Sequence, residues 1–486
     1  MSNNLEDKKF LLKSYSWVAF ANIITKPFWF LLFIIAARIL GKEQFGYYIL
    51  ATSIVVISSI FIDFGLDFIA SREISRDHSK GESYLNKVFQ TRIFFLTAIF
   101  IILTPFYLSE GKINTIEYYS VLMVLIFQTL TLLLQFFKTI VSSFHNFNLF
   151  SKMMIIEKFM IIFFGFISLY LYADLILFLL ALIIANTITF IYFLIKIRKT
   201  FNVVLEQFKF SIVKETVIEA LPLLLTVIFS VVYFRADVII LNFITHDKES
   251  VGVYGSIHRL LEMYLMIPVL LMSTSYPIIA NKYKESRNFV VSFIDKNLKV
   301  ITVISLTTAI IIGFNSNFVN HILYGNEYRN GAEGLKYIIW TIIPLGFNYM
   351  LGNIIVIIKK EKLTAYALMA ASLFSIVLNF ILIPRFNFVG ASIIALIVEV
   401  IIFGLYTAIT LKHFGEYTIV SIIKKIAIII GIFLIINAAL NYTVGYNPWM
   451  NIGLTIVLLP LLYNWVGIVR FSELKNLISL SSLSNS

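Results

Sequence analysis

The chain has 486 residues, 59% of them apolar and only 14% charged, with a mean hydropathy of +0.89. That balance excludes an ordinary soluble protein and identifies an integral membrane protein. A helix crosses the hydrocarbon with about 20 apolar residues, so about fourteen crossings use nearly all the apolar content and leave no sizeable soluble domain. The net charge of +12 lies between the apolar runs rather than on one face, which argues against a nucleic-acid binder. Without cysteine there is no disulfide framework and no thiol site. The six histidines show no metal-ligand spacing.

In chain order, Met1–Lys13 is polar and precedes a full-length apolar run, so that run is expected to stay in the protein as its first helix rather than be cleaved as a signal peptide. Spans are expected near residues 14–39, 45–70, 88–108, 117–138, 153–172, 174–195, 216–243, 252–280, 298–318, 335–358, 363–383, 390–411, 424–443 and 449–468. If the N-terminus is cytoplasmic, 29 of the 39 basic residues fall in inside segments and only seven in outside ones. The inside set includes Arg92, Lys138, Lys152, Lys158, Lys284, Arg470 and Lys475. This asymmetry obeys the positive-inside rule and implies an even number of crossings with both termini cytoplasmic. Tyr47, Tyr48, Tyr118, Tyr119, Tyr324, Tyr442 and Trp449 sit near span ends, as interfacial aromatics do.

An internal repeat is faintly legible. Residues 41–48 read GKEQFGYY and residues 247–254 read DKESVGVY, so an offset of 206 aligns Lys42 with Lys248, Glu43 with Glu249, Gly46 with Gly252 and Tyr48 with Tyr254. Both segments are outer connections between a first and a second helix. The expected organisation is a six-helix bundle at 1–195, a cytoplasmic linker at 196–215 and a second six-helix bundle at 216–411. Two additional helices and a cytoplasmic tail follow at 412–486. Repeated halves flanking a substrate path are a transporter plan.

No G-x-S-x-G, Walker A or H-E-x-x-H motif is present. The informative residues are ionisable groups inside spans, each costing about 2.5–3.5 kcal/mol at a helix centre on insertion scales. Lys26, Arg235 and Arg259 are the basic residues left after the loops are assigned, and they are candidates for an anion-binding cavity. The plainer reading has Arg259 neutralised by Glu262 one turn on, and Arg235 paired with Asp237. Asp63 and Asp67 share one helix face and approach a basic cytoplasmic end, where Lys or Arg would meet them. Glu262 and Glu399, with Asp237, are the candidates for carrying a coupling ion, since burial lets a carboxylate load and release a proton. The segment Ser71–Arg92, with Arg72, Arg76, Lys80 and Lys87 beside Tyr84, Leu85 and Val88, is expected either along an anionic leaflet or as a solvated loop.

Four stretches carry a family resemblance. ARILGKEQFGYY (37–48) resembles the A-R-x-L-G-x-x-x-F-G-x-Y signature of bacterial polysaccharide flippases, the Wzx-type O-antigen transporters. ADVIILNFITHDKESVGVYGSIHRLLE (236–262) is similar to their second-half opening, and ILYGNEYRNGAEGLKYI (322–338) to their loop before the tenth helix. LNFILIPRFNFVGASIIALIVE (378–399) resembles L-N-x-x-L-I-P-x-x-G-x-x-G-A-A-x-A-T-x-x-x-E, departing by Asn387 for the first Gly, Ser392 for Ala and Leu396 for Thr.

The resemblance implies a member of the multidrug/oligosaccharidyl-lipid/polysaccharide (MOP) exporter superfamily, all-α, with two pseudo-symmetric six-helix bundles and two C-terminal helices. It implies a flippase of the bacterial inner membrane, not an enzyme and without a cofactor beyond a coupling H+ or Na+. Its cargo would be undecaprenyl-pyrophosphate-linked repeat units of O-antigen or another polysaccharide. Arg235, Arg259 and Lys26 would hold the anionic headgroup. Partners implied are the lipid-linked glycan, membrane lipids, a polysaccharide polymerase and a chain-length regulator. The alternative is a cation-coupled multidrug antiporter of the same superfamily. A membrane enzyme would need an outer domain larger than any loop here.

Overall fold

The computed structural model describes residues 2–113, 115–144, 146–201, 207–283, 286–415, 419–443, 445 and 447–469. The middle of the expected linker (202–206), Lys284, and Arg470 and Lys475 of the expected tail lie outside them. Every regular element among the described residues is helical. In chain order these are α1 (Ser2–Asp63), α2 (Leu66–Arg76), α3 (Gly81–Ser109), α4 (Ile116–Ser143), α5 (Phe147–Tyr172), α6 (Leu175–Phe201), α7 (Phe210–Thr245) and α8 (Lys248–Lys282). There follow α9 (Arg287–Phe314), α10 (Ser316–Tyr324), α11 (Gly331–Ile338), α12 (Ile342–Ile357), α13 (Glu361–Phe414), α14 (Ile419–Thr443) and α15 (Pro448–Val466), with short 3-10 turns between some of them.

Eleven helices among the described residues are long and apolar enough to cross a membrane. Two of these are double. α1 is broken at Gly41 (φ 72°, ψ 170°), and α13 at Asn387 (φ 51°, ψ −136°), three residues after Pro384. Counted as pairs, and with the 36-residue α7 added, they give the fourteen crossings expected. Glycine reaches the Gly41 conformation at no steric cost, whereas Asn387 holds a left-handed φ against its own Cβ. The glycine that the polysaccharide-flippase pattern places at 387 therefore has a backbone reason.

The close splits are built by caps. Ala173 ends α5 in the left-handed region (φ 50°), and the Asp174 carboxylate accepts from Leu177 N at 3.0 Å to start α6. Asn447 caps α15 through Met450 N at 3.2 Å, with Pro448 in its first turn. Each side chain satisfies an amide that has no intrahelical partner.

By spatial proximity the chain divides into two compact units, Met1–Ser256 and Ile257–Ser486, with the boundary inside α8. In the first unit, α1 packs along α4, α5 and α7, and α4 and α5 along α6. The two repeat-related segments meet there. A Cβ on Gly46 would lie 1.9 Å from Lys248 O, and a Cβ on Gly252 would lie 2.0 Å from Lys42 O. The offset of 206 relates these contacts to each other, so the crossing is reciprocal. Ile49 lies against Gly255, one further pair at that offset. Ion pairs flank the crossing, Lys42 with Glu249 at 2.5 Å and Lys248 with Glu117 at 2.7 Å. Tyr84, Leu85 and Val88 are buried in a core cluster with Ile69, Ile74, Phe137 and Ile140. Residues 81–92 are thus an internal helix start rather than a surface strip, because their apolar face has a protein partner.

In the second unit, α12 runs along α13 and α9, and α14 and α15 pack on α9. Trp340 covers Gly313, and the Tyr463 hydroxyl meets Thr307 Oγ1 at 2.9 Å, fastening the last helix.

Candidate functional site

The expected ionisable residues fall into separate local groups. In the first unit, Lys26 is half-buried in the first half of α1, one residue before Pro27. It makes no ion pair or hydrogen bond within the described residues. Arg235 and Asp237 lie near the middle of α7. The Asp237 carboxylate accepts from the Tyr254 hydroxyl of α8 and from Val238 N at 2.8 Å. Arg235 is close enough to act electrostatically on the same hydroxyl. The buried Tyr254 thus joins Asp237 to the cation two residues before it.

In the second unit, Arg259 donates to Glu262 one turn along α8, and His258 Nδ1 lies 3.7 Å from the other Glu262 oxygen. Tyr324, buried at the end of α10, is within electrostatic reach of Arg259. Glu399, on α13, is 3% exposed. The Asn348 amide of α12 donates to Glu399 Oε2 at 2.5 Å and to the Glu399 carbonyl at 2.9 Å. A carboxylate faced by a neutral amide keeps that bond when it gains a proton, whereas one held by a guanidinium loses an ion pair.

Two buried cations were assigned to the wrong environment in the sequence, and one buried carboxylate was missed. Arg92, counted among cytoplasmic loop cations, has a fully buried side chain. Its Nη2 donates to Asp63 and, at 2.8 Å, to Asp67, while Nη1 donates to Leu132 O of α4 at 2.6 Å. Asp63 and Asp67 therefore meet a basic partner as expected, but inside the bundle. Lys138, also counted as a loop residue, reaches Glu157 of α5 at 2.7 Å, with Lys158 on its other oxygen at 3.1 Å. Glu157 is 1% exposed and escaped notice because it sits beside Lys158 at the mouth of an apolar run. Lys158 also lies over the Trp29 ring, 5.2 Å from its centroid. These charges are matched within the protein and so do not count towards the loop asymmetry. The signal for Asn348 was an amide, one of two with Asn353, in a largely apolar helix. Among the described residues no group of three or more His, Cys, Asp or Glu is placed to hold a metal ion.

Comparison with known proteins places this geometry. The profile described as "Polysaccharide biosynthesis protein" matches residues 11–282, and that described as MatE matches 222–381. An uncharacterized membrane protein of Methanocaldococcus jannaschii, MJ1068, is 20% identical over 417 residues, which are 79% of this chain and 81% of that one. Among solved structures, the lipid II flippase MurJ in an inward closed conformation superposes with a TM-score of 0.70 at 16% identity, over 94% of this chain and 99% of MurJ. An inward-facing multidrug resistance MATE family transporter of the MOP superfamily superposes with a TM-score of 0.56 at 12% identity, over 84% of this chain and 96% of that one. At these identities the likenesses speak for the fold, and the fold agrees with the resemblance found in the motifs. The chain is a multi-pass membrane protein with the MurJ- and MATE-like fold of the MOP superfamily, and it belongs to the polysaccharide biosynthesis protein family.

Proposed function

We propose that this protein is a flippase that moves polyprenyl-pyrophosphate-linked glycan units from the cytoplasmic to the outer leaflet by alternating access. On this reading it is not an enzyme, lies in the bacterial inner membrane and has both termini in the cytoplasm. The observation that carries the reading is Lys26. A half-buried ammonium in an apolar helix, without an acidic partner among the described residues, is costly unless an anion visits it. Pyrophosphate is such an anion. Arg235 and Arg259 are the further candidates for headgroup contact, and their neighbours Asp237 and Glu262 temper their charge. The polysaccharide biosynthesis family supports a glycan cargo, and the fold shared with the lipid II flippase MurJ supports a lipid-linked one.

Coupling to an ion flux supplies the driving force, since the chain has no P-loop. Glu399 is the preferred carrier, with Glu262 and Asp237 behind it, because it is the most deeply buried of the three and accepts from a neutral amide. The second reading, a cation-coupled multidrug antiporter, is favoured by the MATE-like likeness and opposed by the basic residues, which repel cationic cargo. The test is complementation of a strain lacking this chain with the parent or with Lys26→Ala, Arg235→Ala or Arg259→Ala, measuring lipid-linked glycan on each leaflet. Loss of outward transfer with normal protein levels is the expected result. Full transfer in all three variants would remove the headgroup site, and export of lipophilic cations would favour the antiporter. Assembly with a polymerase and a chain-length regulator is part of the same proposal and is tested by co-purification.

A further inference from the structure

Between α1 and α2 the backbone turns through two consecutive left-handed residues, Phe64 (φ 48°) and Gly65 (φ 76°). The helical ladder stops there: Phe64 N still donates to Ile60 O, and Ile69 N donates to Gly65 O on the far side. A bulky aromatic in the left-handed region is strained by its own Cβ, so the turn persists only where neighbours hold it. Asp63 stands immediately before the turn and Asp67 two residues after it. One Arg92 nitrogen bonds both carboxylates, while the other terminal nitrogen holds Leu132 O. A single guanidinium from α3 therefore fastens the two arms of the bend to each other and to α4.

The surroundings sharpen the point. Lys138 of α4 is within electrostatic reach of Asp67, and Lys138 also binds Glu157. Three acidic groups (Asp63, Asp67, Glu157) and three basic ones (Arg92, Lys138, Lys158) form one charge-balanced chain through five helices. Replacing a buried ionic network by apolar residues is often neutral or stabilising. Stability is thus a weak reason to keep one at a bend.

We propose that Phe64–Gly65 is a hinge and that Arg92 is its clamp, holding α2 at a fixed angle to α1 and letting α2 swing when one carboxylate contact is released. Arg92 is a positioning residue in this scheme. The inference is independent of the cargo.

The chain has no native cysteine, so labels can be introduced cleanly. Phe61→Cys on α1 and Arg76→Cys on α2 are both exposed positions and carry nitroxides for a double electron–electron resonance distance measurement across the bend. Ile126→Cys on α4 with Phe159→Cys on α5, also exposed, reports on the rest of the unit. Arg92→Lys keeps the charge and loses the planar fork, whose one terminal nitrogen serves both carboxylates while the other holds Leu132 O. Asp67→Asn loses one carboxylate and keeps the shape. The expected result is one narrow distance across the bend in the labelled parent and a second population in Asp67→Asn, and in Arg92→Lys if that variant folds. The α4–α5 distance should stay unchanged in every folded variant. A single parent-like distance across the bend in Asp67→Asn would overturn the clamp. Broadening of both label pairs together would also overturn it, since that marks a structural ion network whose loss loosens the whole unit.

Discussion

The reciprocal crossing of Gly46 and Gly252 makes a sharp prediction about Gly46→Ala. The added Cβ would start 1.9 Å from the Lys248 carbonyl oxygen. That oxygen is backbone and cannot rotate away. Side-chain carbons essentially never approach such an atom within 3.0 Å, so the two helices must separate locally by more than 1 Å. Overpacking of this kind costs about 1–3 kcal/mol, and helix propensity returns at most about 1 kcal/mol for replacing glycine by alanine. Because the clash is with backbone that cannot give by rotation, the upper end of that overpacking range applies, and a net loss of about 2 kcal/mol is expected, or about 4–8 °C in Tm for a unit of 150–250 residues. Gly252→Ala should cost a similar amount. The double variant should cost less than the two single losses added, because helices already spread by one methyl accommodate the second. Gly431→Ala in α14 is the control: nothing lies within 4 Å of its Cβ position, so a gain of up to about 1 kcal/mol is expected. The assay is thermal unfolding of all four variants in one detergent. Unchanged Tm for Gly46→Ala, or equal effects at Gly46 and Gly431, would refute the close-packed crossing.

Further outcomes follow from the same structure. Asn387→Gly should raise stability by about 1 kcal/mol, since it removes a Cβ from a left-handed φ; Gly41→Ala, at φ 72° and ψ 170°, should lower it by about 1–3 kcal/mol, both read by thermal unfolding. Glu157→Leu strands the buried Lys138 and is expected to cost about 3 kcal/mol, whereas adding Lys138→Met should recover more than half of the loss by restoring an apolar seam; no recovery in a denaturation series would contradict the pairing. Glu399→Gln keeps an acceptor for the Asn348 amide and removes the titrating proton. The folded protein should persist while the pH dependence of glycan transfer in proteoliposomes flattens, and a parent-like pH profile would exclude Glu399 as the coupling group.

Much of the architecture could be read along the chain, for a simple reason. In hydrocarbon a backbone has no water to bond, so each apolar run of adequate length becomes a helix wherever its neighbours lie. The short breaks at 41, 173–174 and 387 were legible for the same reason: glycine, aspartate and proline chemistry is local. The candidate site was less so. Arg259 with Glu262 was anticipated because i and i+3 share a helix face. Asp237 was expected to face a cation and accepts instead from Tyr254, a partner on another helix. Arg92 and Lys138 were placed in loops because hydropathy weighs a charge without seeing its counterion.

The sequence by itself therefore determined the solvent, the helix count, the repeat and the polysaccharide-flippase resemblance, all properties summed over short stretches. Tertiary structure alone decided which charges neutralise one another, that the repeat-related glycines press backbone against backbone, and that one guanidinium from α3 spans the bend between α1 and α2. Those depend on distances of a few ångströms between residues tens or hundreds of positions apart, and Coulomb and van der Waals terms fall off too steeply for composition or periodicity to record them.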